Sequence, residues 1–183
     1  SITYGTTSLT LEKGTAMTAE TPTSTGGAVV TYSVSPTLPA GLSLDSSTGA
    51  ISGTPSAITS SASYTITATN TGGTDTVSMT IVVNDVPPTI SYSSTSLTLE
   101  NGTATTTLTP TTSGGTITSW SVSPTLPAGL SLDSSTGAIS GNPTAVASSA
   151  TYTITASNTG GSDTANIVIV VNDVIPSDLT YSP

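Results

Sequence analysis

Tyr64-Thr65-Ile66-Thr67-Ala68-Thr69-Asn70-Thr71-Gly72-Gly73 runs directly into Thr74-Asp75-Thr76-Val77-Ser78-Met79-Thr80-Ile81-Val82-Val83. Apolar and hydroxyl side chains alternate on both sides of an Asn-Thr-Gly-Gly turn, which is the pattern of a β-hairpin with one buried and one wet face. The same pattern returns at Tyr152, Ile154 and Ala156, and then at Ala165, Ile167, Ile169 and Val171. Residues 1–88 lie over 89–176 without a gap, with 61 of 88 positions identical and Ser33–Gly53 repeated unchanged as Ser121–Gly141. A period of this length predicts two copies of one small domain, 1–88 and 89–176. Leu179-Thr180-Tyr181-Ser182 echoes Ile90-Ser91-Tyr92-Ser93, so residues 177–183 read as the start of a third repeat or a linker between subunits.

Further strands are expected at Leu9 and Leu11, at Tyr32 and Val34, at Leu42-Ser43-Leu44 and at Ala50-Ile51-Ser52, each with its counterpart in the second copy. Gly and Pro stand at every junction, and no apolar stripe of helical period appears. About seven short strands in each copy make the chain all-β, an antiparallel β-sandwich repeated in tandem. Leu42, Leu44, Ile51, Tyr64, Ile66 and Ile81, with Leu130, Leu132, Ile139, Tyr152, Ile154 and Ile169, are the expected core.

Ser and Thr supply 74 of the 183 residues, Lys13 is the only basic side chain, and Arg, His, Cys, Gln and Phe are absent. Most nucleophile, base and metal chemistry therefore has no residues to run on, and an enzyme is not expected. The net charge of −9 is spread over ten scattered carboxylates, a solubilising term. Phosphate binding needs a basic surface, so nucleic acid is excluded as a partner. No apolar run of about 18 residues offers a membrane span, and any export signal or anchor is expected outside this segment. The near absence of Lys and Arg leaves trypsin-like proteases little to cut, which suits an extracellular or cell-surface location.

Pro36-Thr37-Leu38-Pro39-Ala40-Gly41-Leu42-Ser43-Leu44-Asp45, continuing to Gly49-Ala50-Ile51-Ser52-Gly53-Thr54-Pro55, resembles the putative-Ig (He-PIG) repeats of bacterial and archaeal surface proteins. Pro124–Pro143 repeats the motif, and the downstream Tyr-Thr-Ile-Thr-Ala and Val-Val-Asn-Asp runs extend the likeness over both copies. The resemblance implies an Ig-like, cadherin-like sandwich in an extracellular stalk, adhesin or fibre. It also raises calcium, through the interdomain linkers of cadherins, at Asp85, Glu100, Asp173 and Glu12. That set is thin for an ion taking six to eight oxygens, and Asp85 and Asp173 read as polar turn residues that end a strand in preference to calcium ligands. No other cofactor is expected.

Asp45 and Asp133 read as caps of the Asp-Ser-Ser-Thr-Gly turns. Trp120, the single Trp, aligns with Tyr32 inside a strand and reads as core in preference to a sugar-stacking platform. Asn101-Gly102-Thr103 matches the N-glycosylation sequon at Asn101. The expected function is a non-catalytic structural repeat whose partners are neighbouring copies, with the junctions Val86-Pro87-Pro88 and Ile175-Pro176 restricting the backbone between sandwiches. The alternatives are a glycan- or protein-binding Ig-like module and a self-assembling secreted filament subunit. Variation between the loops of the two copies favours binding, and near-identity favours a spacer.

Overall fold

The computed structural model describes residues 1–175. The expected third-repeat start at 177–183 and the Pro176 half of the second junction lie outside the described residues. The chain divides after Val86 into two compact units. The first contains β1 (Ile2–Thr3), β2 (Ser8–Glu12), β3 (Thr23–Ser24), β4 (Thr31–Ser35), β5 (Leu42–Leu44), β6 (Ile51–Gly53), β7 (Thr59–Asn70) and β8 (Gly73–Asn84). The second repeats the order as β9 (Pro88–Tyr92), β10 (Ser96–Glu100), β11 (Pro110–Gly114), β12 (Ser119–Ser123), β13 (Leu130–Leu132), β14 (Ile139–Gly141), β15 (Ala147–Asn158) and β16 (Gly161–Asn172).

In each unit the long hairpin forms the middle of a four-stranded sheet, β2-β8-β7-β4 in the first and β10-β16-β15-β12 in the second. Asn70 pairs with Gly73, and Tyr64 opposes Met79 while Ile66 opposes Val77. The turn closes because the Asn70 side chain accepts from the Gly72 amide at 2.8 Å. A bulge between Thr59 and Ala62 sets two residues of β7, Ser60 and Ser61, against Val82 alone on β8, and the same irregularity recurs between Ala147 and Ala150.

The opposing layer is assembled from short pairs. β1 pairs with β3 and β5 with β6, and a bridge from Glu20 to Ile51 joins the two pieces. The sandwich is antiparallel except at one edge, where β2 runs parallel to β8 and β10 parallel to β16. The cause is a strand that changes layer: β1 belongs to one sheet, the chain crosses at Tyr4–Thr7, and β2 continues in the other. Tyr4 is buried at this crossing and its hydroxyl donates to the Gly49 carbonyl at 2.5 Å; Tyr92 does the same to Gly137 at 2.6 Å. Burial pushes both phenols up to about 12.

The Gly-Leu-Ser-Leu and Ile-Ser-Gly strings meet in β5 and β6, where Leu42 opposes Gly53. A Cβ on Gly41 would lie 2.0 Å from the Thr54 carbonyl oxygen, and one on Gly53 would lie 2.2 Å from the Gly41 oxygen. Both glycines also have positive φ, so the crossing of these two backbones accepts no other residue without strain. The Thr54 amide donates to Gly41 and the Ser56 amide to Ala40, which pins the motif.

Ile66, Met79, Ile81, Ile51 and Val83 of the first unit, and Ile154, Ile167, Ile169, Ile139 and Val171 of the second, are almost completely buried. Leu42, Leu44, Leu130 and Leu132 differ from expectation: they pack against the cores but are only half-buried. They sit on three-residue strands paired on one side only, so their faces are not covered from end to end.

Ile154→Ala is expected to cost the second unit about 2–5 kcal/mol, the loss of a buried aliphatic side chain together with the cavity left behind. Denaturant unfolding followed by Trp120 fluorescence reports this unit alone; a change within about 0.5 kcal/mol would mean that Ile154 is not core.

Candidate functional site

The carboxylates are used in three places. In the β5–β6 turn, Asp45 Oδ1 accepts from the amides of Ser47 at 2.8 Å and Thr48 at 2.9 Å, and Asp133 accepts from Ser135 and Thr136 at the same distances. These bonds favour the charged form and hold both acids below the usual carboxylate range. At the opposite side of the hairpin turn, Asp75 Oδ2 accepts from the Ile2 amide at 2.7 Å, and Asp163 Oδ2 from Ile90 at 2.8 Å. An acid on β8 or β16 thus ties the first strand of the other layer to the long hairpin. Sequence reading passed over Asp75 and Asp163; the signal was an acid recurring two residues after the Gly-Gly pair of each hairpin turn.

The third group comprises the residues raised as calcium ligands. Glu12 stands opposite Asn84, next to Asp85, and accepts from the Thr15 hydroxyl at 3.0 Å. Asp85 is buried, with Oδ1 accepting from the Val86 amide at 3.0 Å. In the second unit Glu100 stands opposite Asn172, next to Asp173; Asp173 is exposed and accepts from Val174 at 3.0 Å. The fold therefore brings the four residues together as two pairs, one in each unit. Calcium takes six to eight oxygens with several carboxylates among them, and two acids per unit supply only part of such a shell. Among the described residues no group of three or more His, Cys, Asp or Glu is placed to hold a metal.

Asn101 lies in the turn after β10, half-buried, where the Thr103 amide donates to Glu100 at 3.2 Å. Trp120, on β12 opposite Ala156, is only half-buried, whereas its counterpart Tyr32 is buried. A Cβ on Gly137 would lie 2.6 Å from the indole ring, so the ring rests directly on backbone at that point. Beside it opens a cleft of about 440 Å³, walled by Trp120 and Ile117 with Thr112, Thr116, Ser135 and Thr136. No charged residue lines it.

Eight strands in two layers, a layer-switching first strand and a tyrosine bonded across the layers define an Ig-like sandwich in each unit. The family model described as "Putative Ig domain" (He-PIG) matches residues 1–84 and again 87–172, and the chain belongs to this family. Extracellular domains 3–5 of Drosophila OTK are similar in structure, at 16% identity, covering 94% of this chain and 62% of that one with a TM-score of 0.54. The N-terminal four Ig domains of Dscam1 isoform 6.44 align at 15% identity, covering 93% of this chain and 46% of that one with a TM-score of 0.50. The chain thus spans less than two thirds of either, and at these identities the likeness is one of fold. No curated protein sequence matches the chain.

Because Asp45 and Asp133 have folded-state values lowered below the unfolded one near 3.9, their stabilisation is present above that value and is lost as pH falls through the folded one. Asp133→Ala is expected to lower the melting temperature of the second unit at pH 7 and to make a smaller difference at about pH 2.5. A gap between variant and parent that stays constant from pH 7 to acid would show that the charged cap is not the source.

Proposed function

We propose that this chain is a non-catalytic spacer segment of an extracellular stalk, adhesin or fibre, working alongside neighbouring copies of the same repeat. The observation that carries this reading is that the two units reproduce one scaffold, with the same tyrosine bonds, turn caps and strand locks. Tyr4 and Tyr92, Asp45 and Asp133, and Asp75 and Asp163 make the same contacts 88 residues apart. A scaffold duplicated in this way supplies length and stability, which a spacer needs. Composition supports the same reading: with no His, Cys or Arg, and with acids engaged in turns and strand locks, few side chains are left for catalysis.

The junction Val86-Pro87-Pro88 supplies the mechanical element of the proposal. Proline fixes φ and restricts the residue before it, so two in succession narrow the backbone's choices between the units. Placement at the cell surface, and an N-linked glycan on Asn101, belong to the same proposal. A self-assembling secreted filament subunit is the variant in which neighbours are separate chains.

Pro87→Gly with Pro88→Gly is expected to broaden the distribution of solution dimensions measured by small-angle scattering, while the melting curve of the first unit stays in place. Chelator is expected to change neither the melting curve nor the dimensions of the parent protein. A lowered melting temperature on chelation would assign the stiffening to calcium, held by Glu12 and Asp85 if Asp85→Ala abolishes the chelator effect and by Glu100 and Asp173 if Asp173→Ala does. Dimensions unaltered by the double glycine variant would contradict the proline mechanism.

A further inference from the structure

The differences between the two copies are not evenly spread. Ser33–Gly53 and Ser121–Gly141 differ nowhere, yet the five positions just before them, Ala28–Tyr32, all differ from Thr116–Trp120. Both stretches belong to the same sandwich, so a uniform tolerance for change does not account for the boundary between them. In the second copy the altered stretch forms one wall of the cleft beside Trp120.

The direction of change is informative. Ala28 and Val30 become Thr116 and Thr118, so apolar side chains give way to hydroxyls, while Tyr32 becomes a Trp. Val30 is 68% exposed in the first unit; in the second, the Thr118 hydroxyl donates to the Ser157 carbonyl at 3.0 Å and fixes the end of the loop. Core packing does not call for the larger ring. Tyr32 already fills its place at 8% exposure, and the indole that replaces it is the less buried of the two.

The opposite wall is held in position. Asp133 Oδ1 binds the Ser135 and Thr136 amides at 2.8 and 2.9 Å, and the Thr136 hydroxyl accepts from Ala138 at 3.3 Å. Both hydroxyl-bearing residues of this wall therefore sit on a backbone with little freedom. We propose that the Trp120 cleft of the second unit is a binding site for a neutral carbohydrate of one or two sugar rings.

Its volume of about 440 Å³ lies within the range of small-molecule sites. An aromatic ring with an electron-rich face meets the polarised C–H groups of a pyranose, and the hydroxyls of Thr112, Thr116, Ser135 and Thr136 both donate and accept, as sugar hydroxyls require. A lining without charge matches a neutral ligand and offers no counter-ion for an anion. The spacer role does not depend on this site: Trp120→Tyr restores the residue that the first unit carries at the same place, so the scaffold is expected to tolerate it.

Because Trp120 is the only Trp, its fluorescence is a direct reporter. The parent protein is titrated with the methyl glycosides of glucose, galactose and mannose and with maltose, cellobiose and lactose. At least one is expected to give a saturable change with a dissociation constant in the millimolar range, with amide shifts by NMR confined to 112–120 and 133–137. Trp120→Tyr, followed by NMR, is expected to weaken binding at least tenfold with an unchanged melting curve, and Thr116→Ala to weaken it several-fold. Three results would overturn the proposal: no saturable response to any of the six sugars up to about 50 mM, shifts that map elsewhere, or equal affinity in Trp120→Tyr.

Discussion

The interaction on which each unit depends is the registered pairing of its two twelve-residue strands. Tyr64, Ile66 and Ala68 on β7, with Met79, Ile81 and Val83 on β8, turn toward the core while Thr65, Thr67, Thr80 and Val82 between them lie half-buried on the other face. A slip of one residue would carry the whole set to the wet side, so the register is enforced by burial and by the Asn70–Gly73 turn together. The remaining strands are five residues or shorter and take their place by pairing with this hairpin or packing over it. The bulge at the start of β7 is tolerated because it falls at the end of the hairpin, away from the turn that sets the register.

Much of this was legible in the sequence because alternation survives in a strand long enough to show its period. The hairpins, Ile51 and Ile139, and the motif around Gly41 and Gly53 could all be read from residue order. β3 and β11 could not: Thr23–Ser24 and Pro110–Gly114 are exposed, hydroxyl-rich rims with no apolar face to betray them. Parallel pairing of β2 with β8 was equally hidden, since it follows from a chain crossing between layers, which leaves no local pattern. Asp75 and Asp163 recur at one place after the two hairpin turns, but their partners lie 73 residues away, and nothing in the residue order joins the two ends of the bond.

The candidate site was legible only in part. Trp120 was visible as the single Trp, and its alignment with Tyr32 pointed to the core; it does pack there, but its half-buried ring also borders an open cleft. That second role arises from the neighbouring loop and the Asp133 turn, which only the fold brings together. The acids raised as metal ligands sort into Glu12 with Asp85 and Glu100 with Asp173, because β2 and β10 each end beside the last strand of their own unit. The chain thus combines a scaffold kept constant where backbones cross at glycine with a variable stretch where the second copy departs from the first.

If the long hairpins are the framework of two equivalent sandwiches, amide hydrogen exchange should rank the residues accordingly. The slowest amides should lie in the paired middle segments of β7 with β8 and of β15 with β16, in the same pattern 88 residues apart, with β3 and β11 exchanging early. Slowest exchange in the short layer, or hairpins that open together with the loops, would contradict the account.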